Sequence, residues 1–379
     1  MKYVHFSVLA GALCACGGGN TQQQEPTCSE EFCAHTPPSG SKNNAFLVTI
    51  TGEGAATEGI SFPPESTQGE PYFLDGWELH FTRVLVTLTD ITLSENPAMN
   101  PQDQSQTGKQ ISKLHGPWVV DLAKAGPLDS KEQNGKSWPL TRFEGDYDPT
   151  TPYAFGFSLA AAEANVFNVN LDDADKEAYR AMKTAGYAVL LEGDATFKGT
   201  DCRSTQPGYD FSTYPTPIHF SFGFAIPTDF VNCVNPELQP IDSRGVQSQS
   251  GAQTTTQVTF HLDHAFWEAL EEDAPLRWDA LAARNTSSLT QDDLVGLDFQ
   301  AFKDSANAPI PWRTCGPTLT NERTTGFVSY DPAGVAVNPT GGATGLADLR
   351  DYMQHNLSTF GHLNNDGLCF PSRKFPSPP

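Results

Sequence analysis

Between Trp77 and Leu93 the chain alternates apolar and polar residues, and the parity of the apolar positions changes twice. Trp77, Leu79 and Phe81 are odd, Val84, Val86 and Leu88 are even, and Ile91 and Leu93 are odd again. Successive side chains of a strand point to opposite faces, so each change of parity requires a bulge or a sharp bend. A long strand with two bends suits a structure whose strands cross between packed sheets. Four other segments repeat the period of two. Phe46, Val48 and Ile50 share one face with Thr49 and Thr51 opposite, and Tyr153, Phe155, Phe157 and Leu159 form a second face. Ile218, Phe220, Phe222, Phe224 and Ile226 form a third, and Val258, Phe260 and Leu262 a fourth. Such alternation marks half-buried antiparallel strands. Further strands are expected from Trp118 to Leu122 and from Tyr187 to Phe197. Helical signals are fewer. They cover Asp172 to Ala185, Ala265 to Leu281 (one helix or two, because Pro275 falls inside), and Leu346 to Leu357, where Leu346, Leu349, Met353 and Leu357 form a stripe. The pattern predicts a mainly β fold, an antiparallel β-sandwich with a few helices, mostly in the C-terminal third.

The first residues read as an export signal. Lys2 precedes an apolar or small stretch from Val4 to Leu13, too short to span a membrane. Leu13-Cys14-Ala15-Cys16 then resembles a bacterial lipobox, with Leu at −3 and a small residue at −1 before the Cys that is lipidated. That resemblance makes residues 1–15 a signal peptide and Cys16 the lipidation site. It also implies the outer membrane, because Gly17 rather than Asp follows; the periplasmic and the outer surface stay open. The other reading is a plain cleaved signal with two incidental cysteines. Residues 16–44 are rich in Gly, Gln, Ser and Pro and read as a flexible tether. Residues 45–379 are then the β-sandwich domain with a C-terminal helical appendage.

Six cysteines remain: Cys28, Cys33, Cys202, Cys233, Cys315 and Cys369. An even count in an exported chain reads as disulfides and an oxidising compartment. Pairing sequence neighbours gives Cys28–Cys33, Cys202–Cys233 and Cys315–Cys369. The last two bonds would each stabilise by roughly 3–4 kcal/mol through loop closure. A net charge of −22 argues against nucleic acid, which needs clustered Lys and Arg. No GxGxxG, P-loop, GxSxG or HExxH motif occurs, so nucleotide, serine-hydrolase and zincin chemistry have no support.

Histidines concentrate in Thr259-Phe260-His261-Leu262-Asp263-His264-Ala265-Phe266-Trp267, where a strand is expected to end and a helix to begin. His261, Asp263 and His264 could hold Zn or Cu. The competing reading makes Asp263 a helix N-cap beside surface histidines, a cap contributing ~1 kcal/mol. A second feature is Phe360-Gly361-His362 followed by Asn364-Asn365-Asp366-Gly367, turn chemistry that folds His362 back towards Cys369. His355, His80, His115 and His219 are weaker, with His219 the best additional ligand if its strand neighbours that of His261.

HLDHAFWEAL followed by STFGHLNNDGLC resembles a group of uncharacterised lipoproteins of myxobacteria and their relatives. In these an HxDH segment after a strand is paired with a terminal GH segment ending in Cys. The resemblance covers chiefly residues 200–370, and WELHFTRVLVTLTDITL is similar too. It implies that His261, Asp263, His264 and His362 are the recurring polar positions of one metal site. The pattern has a second terminal His where this chain has Leu368. It also has a calcium-loop-like run between the two segments, but here that run begins Ala282-Ala283-Arg284 and no calcium is expected. The sequence therefore supports a lipid-anchored transition-metal-binding protein. The alternative is a module binding a glycan or protein partner through Trp138, Tyr147, Tyr153, Tyr209 and Tyr214. A metal-dependent enzyme, with Asp263 or Glu268 as base, comes third.

Overall fold

The computed structural model describes residues 27–64, 71–132, 135–240, 242–271, 273–316, 322–338 and 345–375. The expected signal peptide, Cys16 and the tether as far as residue 26 lie outside the described residues. Among the described residues the protein is mainly β, with sheets of eleven, six and two strands and four α-helices.

The strand Trp77–Ser94 is the spine of the larger sheet, and both expected bends occur. Phe81 pairs with Gly193 and Arg83 with Glu192, which leaves Thr82 as the extra residue of a bulge. Gly193 is required there, because a Cβ would fall 2.3 Å from the His80 carbonyl oxygen. The second bend lies at Asp90, in the left-handed region at φ 48°, between Thr89 opposite Ser158 and Thr92 opposite Gly156. Around it the partners change. One edge passes from Val189–Phe197 to Ala154–Leu159, and the other from Trp118–Asp121 to Gln110–Leu114.

The six-stranded sheet runs Gly367–Leu368, Gly361–Leu363, Thr254–Phe260, Phe46–Thr51, Lys136–Phe143, Leu128–Asp129. Its two central strands, Thr254–Phe260 and Phe46–Thr51, are parallel, which is possible because most of the chain lies between them instead of a hairpin turn. The sheets are therefore mixed rather than wholly antiparallel. Phe157 stacks on Phe230 of the larger sheet at 4.8 Å, and both rings meet Phe260 of the smaller sheet at 6.0 and 6.4 Å. The apolar faces of both sheets thus share one core. The opposite face of the smaller sheet is not a solvent face: Thr49, Thr51, Gln257 and Thr259 are all buried. A covered polar layer lies there.

Three expectations need correction. The folded part begins before residue 45, since Phe32–Ala34 pairs with Val166–Asn168 as an edge strand and the Phe32 ring packs on Tyr179. The last third is not an appendage. Helix Leu349–Leu357 buries Leu349, Tyr352, Met353 and Leu357, and the strands after it join both large sheets. Between Ala265 and Leu281 there is no long helix, only the 3-10 turn Leu262–Phe266 and the short helix Asp279–Ala282. Phe266, Trp267, Leu276 and Trp278 are all buried there, and Pro275 removes a backbone donor. Helix Asp173–Ala185 does form as expected. It is closed by the Asp172/Asp175 capping box and by left-handed Gly186, and packs Tyr179 and Met182 on Leu85, Val119 and Leu190.

Cys28–Cys33 pairs as expected, but the other bonds are Cys202–Cys315 and Cys233–Cys369. Strand pairing decides this. Arg203–Ser204 pairs with Arg313–Thr314, and Val231 faces Phe370. Each pair of cysteines is therefore brought together by partners distant in sequence.

Candidate metal centre

The covered polar face of the smaller sheet positions the site. Thr259 lies opposite Thr51 on one side and His362 on the other, so His362 continues that row. Its neighbour Gly361 faces the core, where a Cβ would fall 2.7 Å from the Phe230 ring. His261 stands just past the end of Thr254–Phe260, where its N–H donates to the Phe360 carbonyl at 2.9 Å. The turn Leu262–Phe266 then reverses the chain and returns His264 to the same place.

One potential ligand atom from each of His261, His264 and His362 lies within 4.8 Å of the others. His264 and His362 are buried and His261 is partly exposed. The His261 and His362 rings stack at 4.1 Å, 10° from parallel, and the His264 ring stands nearly perpendicular to both. An imidazole binds an ion in its own plane, so two parallel rings cannot both serve one ion until one of them turns. Hydrogen bonds indicate which is free. Thr359 Oγ1 donates to the Asn356 carbonyl at 2.7 Å, so its contact with His264 Nδ1 at 2.9 Å is one it accepts. The Nδ1–H tautomer leaves His264 Nε2 as a lone pair. His261 Nε2 lies 3.2 Å from the Asn365 carbonyl and donates to it, leaving Nδ1 as its lone pair. Neither ring nitrogen of His362 makes a well-formed hydrogen bond, although the backbone of Asp366 and Thr359 passes close enough to favour its protonated form slightly. His362 is therefore the ring that hydrogen bonds restrain least.

Electrostatics keep His264 and His362 in the form a metal requires. Burial holds His264 and His362 well below the ordinary histidine value, and the neighbouring imidazoles push the same way. Carboxyl groups surround the trio. Glu53 Oε2 lies 3.5 Å from His261 Nε2. Burial, reinforced by Glu132, Asp366 and Asp263, raises Glu53 to about 9. Trp267 closes one side, its ring 3.7 Å from that of His264.

Asp263, expected as a fourth ligand or a helix cap, is not the cap and does not belong to the group of three histidines. The turn starts from His261 with no side-chain cap, and Asp263 Oδ2 accepts from Trp267 Nε1 at 3.1 Å. Burial raises its carboxyl, against the pull of His261. Glu268 is held by Arg277 and Arg323, each at 2.7 Å, and is no base for this site. His219 and His80 are exposed on the larger sheet, His115 sits beside Asp90, and His355 faces Arg373. None joins the trio. Trp138, Tyr147, Tyr153, Tyr209 and Tyr214, proposed as a glycan platform, are at least half-buried. Trp138 donates to the Lys124 carbonyl, and Tyr209 and Tyr214 share a hydroxyl contact. Sequence reasoning missed Glu53, Thr359 and Asn365. Only the Gly52-Glu53-Gly54 setting of the first could have drawn notice.

Searches against protein-family models, curated proteins and solved structures return no match for this chain.

Proposed function

We propose that the protein binds one transition-metal ion through His261, His264 and His362, as a lipid-anchored protein of the bacterial outer membrane. The observation that carries the reading is the convergence of three imidazoles, one of which is buried with both ring nitrogens lacking a well-formed hydrogen bond. A buried polar group without a partner costs about 1–3 kcal/mol, and an ion supplies what His362 lacks. Imidazole donors suit Zn²⁺ or Cu²⁺. A bound ion at such a site supplies a stored, transferable or Lewis-acidic charge, and the protein's part is to hold neutral imidazoles in a dry place. Three disulfides support an oxidising compartment, consistent with export and anchoring through Cys16. We read the two large sheets as a sandwich on a tether, akin to the lipoproteins that the sequence resembles.

The test is elemental analysis of untagged protein, beside His264→Ala and His362→Ala. One ion per chain in the parent and none in the variants supports the reading. Equal metal in all three, or none in the parent, ends it.

A further inference from the structure

We infer that the cleft between the paired strands Arg203–Ser204 and Arg313–Thr314 and residues 322–324 binds a small organic anion, its carboxylate or phosphate group held by Arg203, Arg313 and Arg323. None of the three metal-site histidines lines this cleft. It encloses about 610 Å³, a volume typical of small-molecule sites. Three arginines line it against one carboxylate, Glu322, in a chain whose net charge is −22. Arg313 is the most informative of them. It is only 6% exposed, yet it lines the cleft. Its Nε and Nη2 donate to Asp279, while Nη1 has no hydrogen-bond partner among the described residues and is not sealed from solvent. A cation buried this far, with one donor left open at a cleft, is a receptor for an oxyanion.

The walls hold these donors still. The Arg313 guanidinium lies 4.2 Å from the centre of the Phe197 ring and 4.4 Å from that of Phe211, and the Arg323 guanidinium lies 5.2 Å from that of Trp312. Stacking on a ring fixes the plane of a guanidinium and leaves its N–H edge for carboxylate or phosphate oxygens. Arg323 gives Nη2 to Glu268 at 2.7 Å and keeps Nε and Nη1 uncommitted among the described residues. Arg203 meets Glu322 only at 3.6 Å, a contact that an incoming anion can exchange. Asp279 and Glu268 are buried and do not line the cleft, so they fix the arginines from behind. Thr205 ties the two walls, accepting from the Trp312 N–H at 3.1 Å and donating to the Gly326 carbonyl at 2.7 Å. The Cys202–Cys315 disulfide closes the end of the paired strands. Tyr209 and Phe211, edge to face at 4.7 Å, line the same cleft and offer ring surface to the body of the ligand. That surface favours an organic anion over a bare ion.

The experiment is calorimetric titration of the protein with glucuronate, glucose 6-phosphate, glucose and inorganic phosphate. Parent, Arg203→Gln, Arg323→Gln, Lys109→Gln and His362→Ala are compared, with a thermal melt of each. Lys109 is an exposed cation away from the cleft. The parent is expected to bind glucuronate, glucose 6-phosphate or both, which tells a carboxylate site from a phosphate site, and to bind glucose at least about tenfold more weakly. Arg203→Gln and Arg323→Gln should each weaken anion binding about tenfold or more. Arg203→Gln should melt like the parent, so it decides the matter even if Arg323→Gln, which removes a partner of Glu268, folds poorly. Lys109→Gln and His362→Ala should titrate like the parent. Binding of neither organic anion, or binding unchanged in both arginine variants, overturns the proposal. Glucose bound as tightly as glucuronate and glucose 6-phosphate overturns the role of charge, and inorganic phosphate bound as tightly as glucose 6-phosphate overturns the organic ligand. An equal loss in Lys109→Gln reduces the effect to net charge and overturns the site. A loss in His362→Ala places the anion at the histidines and overturns it too, whereas failure of the metal reading leaves this site untouched.

Discussion

Two of the buried clusters of polar side chains among the described residues are completed in opposite ways. One joins Asp75, Asp279, Glu268, Arg277 and Arg313 behind the larger sheet. Arg277 Nε donates to Glu268 at 2.7 Å, Arg313 Nε donates to Asp279 at 2.9 Å, and Asp75 accepts from two backbone N–H groups at 2.8 Å. Every arginine there has its acid, and Asp75 is raised to about 7 by burial and by Asp279, although Asp75 Oδ1 and Arg277 Nη2 make no hydrogen bond. The other cluster is the histidine trio, in which burial holds His264 and His362 well below the ordinary histidine value and neither ring nitrogen of His362 makes a well-formed hydrogen bond. A cluster that balances its own charge is part of the scaffold. A cluster that gathers several imidazole nitrogens within 4.8 Å of one another and balances no charge is a candidate site.

The largest effect should come from breaking the balanced cluster. Arg313→Met leaves Asp279 buried and uncompensated and should cost about 3–5 kcal/mol in chemical denaturation. A loss under about 1 kcal/mol would remove the contrast. The same kind of replacement in the trio should behave differently. His362→Leu deletes the two unpartnered nitrogens, so the metal-free melt should stay within about 1 kcal/mol of the parent or rise. Zn²⁺ at a hundred times its dissociation constant should then stabilise the parent by about 2.7 kcal/mol and this variant not at all. A variant that both unfolds easily and still responds to Zn²⁺ would refute the distinction.

His355 separates a buried histidine from a buried binding site. Burial and Arg373 lower it to about 4, so the unfolded chain takes up a proton near pH 6.5 that the folded one refuses. Its contribution is complete above that pH and is lost as pH falls towards 4. His355→Gln should therefore flatten the decline of unfolding free energy between pH 6.5 and 4 by about 1 kcal/mol, discounted for partial exposure, while Zn²⁺ binding stays at the parental level. An equally steep decline would argue against it. The smallest change belongs to Asp263→Asn. Its amide oxygen keeps the bond from Trp267, and Zn²⁺ affinity should fall less than tenfold, against complete loss in His362→Ala. Loss of binding in Asp263→Asn would restore that residue as a ligand.

Much of the scaffold was legible because local rules governed it. The parity changes around Thr82 and Asp90 follow from the strand's own alternation, and Asp172 with Gly186 mark the ends of their helix. His261 and His264 were visible as a cluster because four consecutive positions contain them. Illegible were the features that pairing between distant strands decides. The Cys202–Cys315 and Cys233–Cys369 bonds depend on strands whose partners no spacing rule identifies. Asp263 looked like a ligand because only its distance in sequence was known; in the structure it accepts from Trp267. Glu53 was invisible because its approach to His261 depends on the parallel pairing of Phe46–Thr51 with Thr254–Phe260.

The most direct measurement is anomalous diffraction at the zinc edge from crystals of untagged protein grown with Zn²⁺. The account predicts one peak per chain, ~2.0–2.1 Å from a nitrogen of each of His261, His264 and His362, with the His362 ring turned out of its parallel stack. A peak placed on the exposed carboxylates instead, or no peak between the three rings, contradicts it.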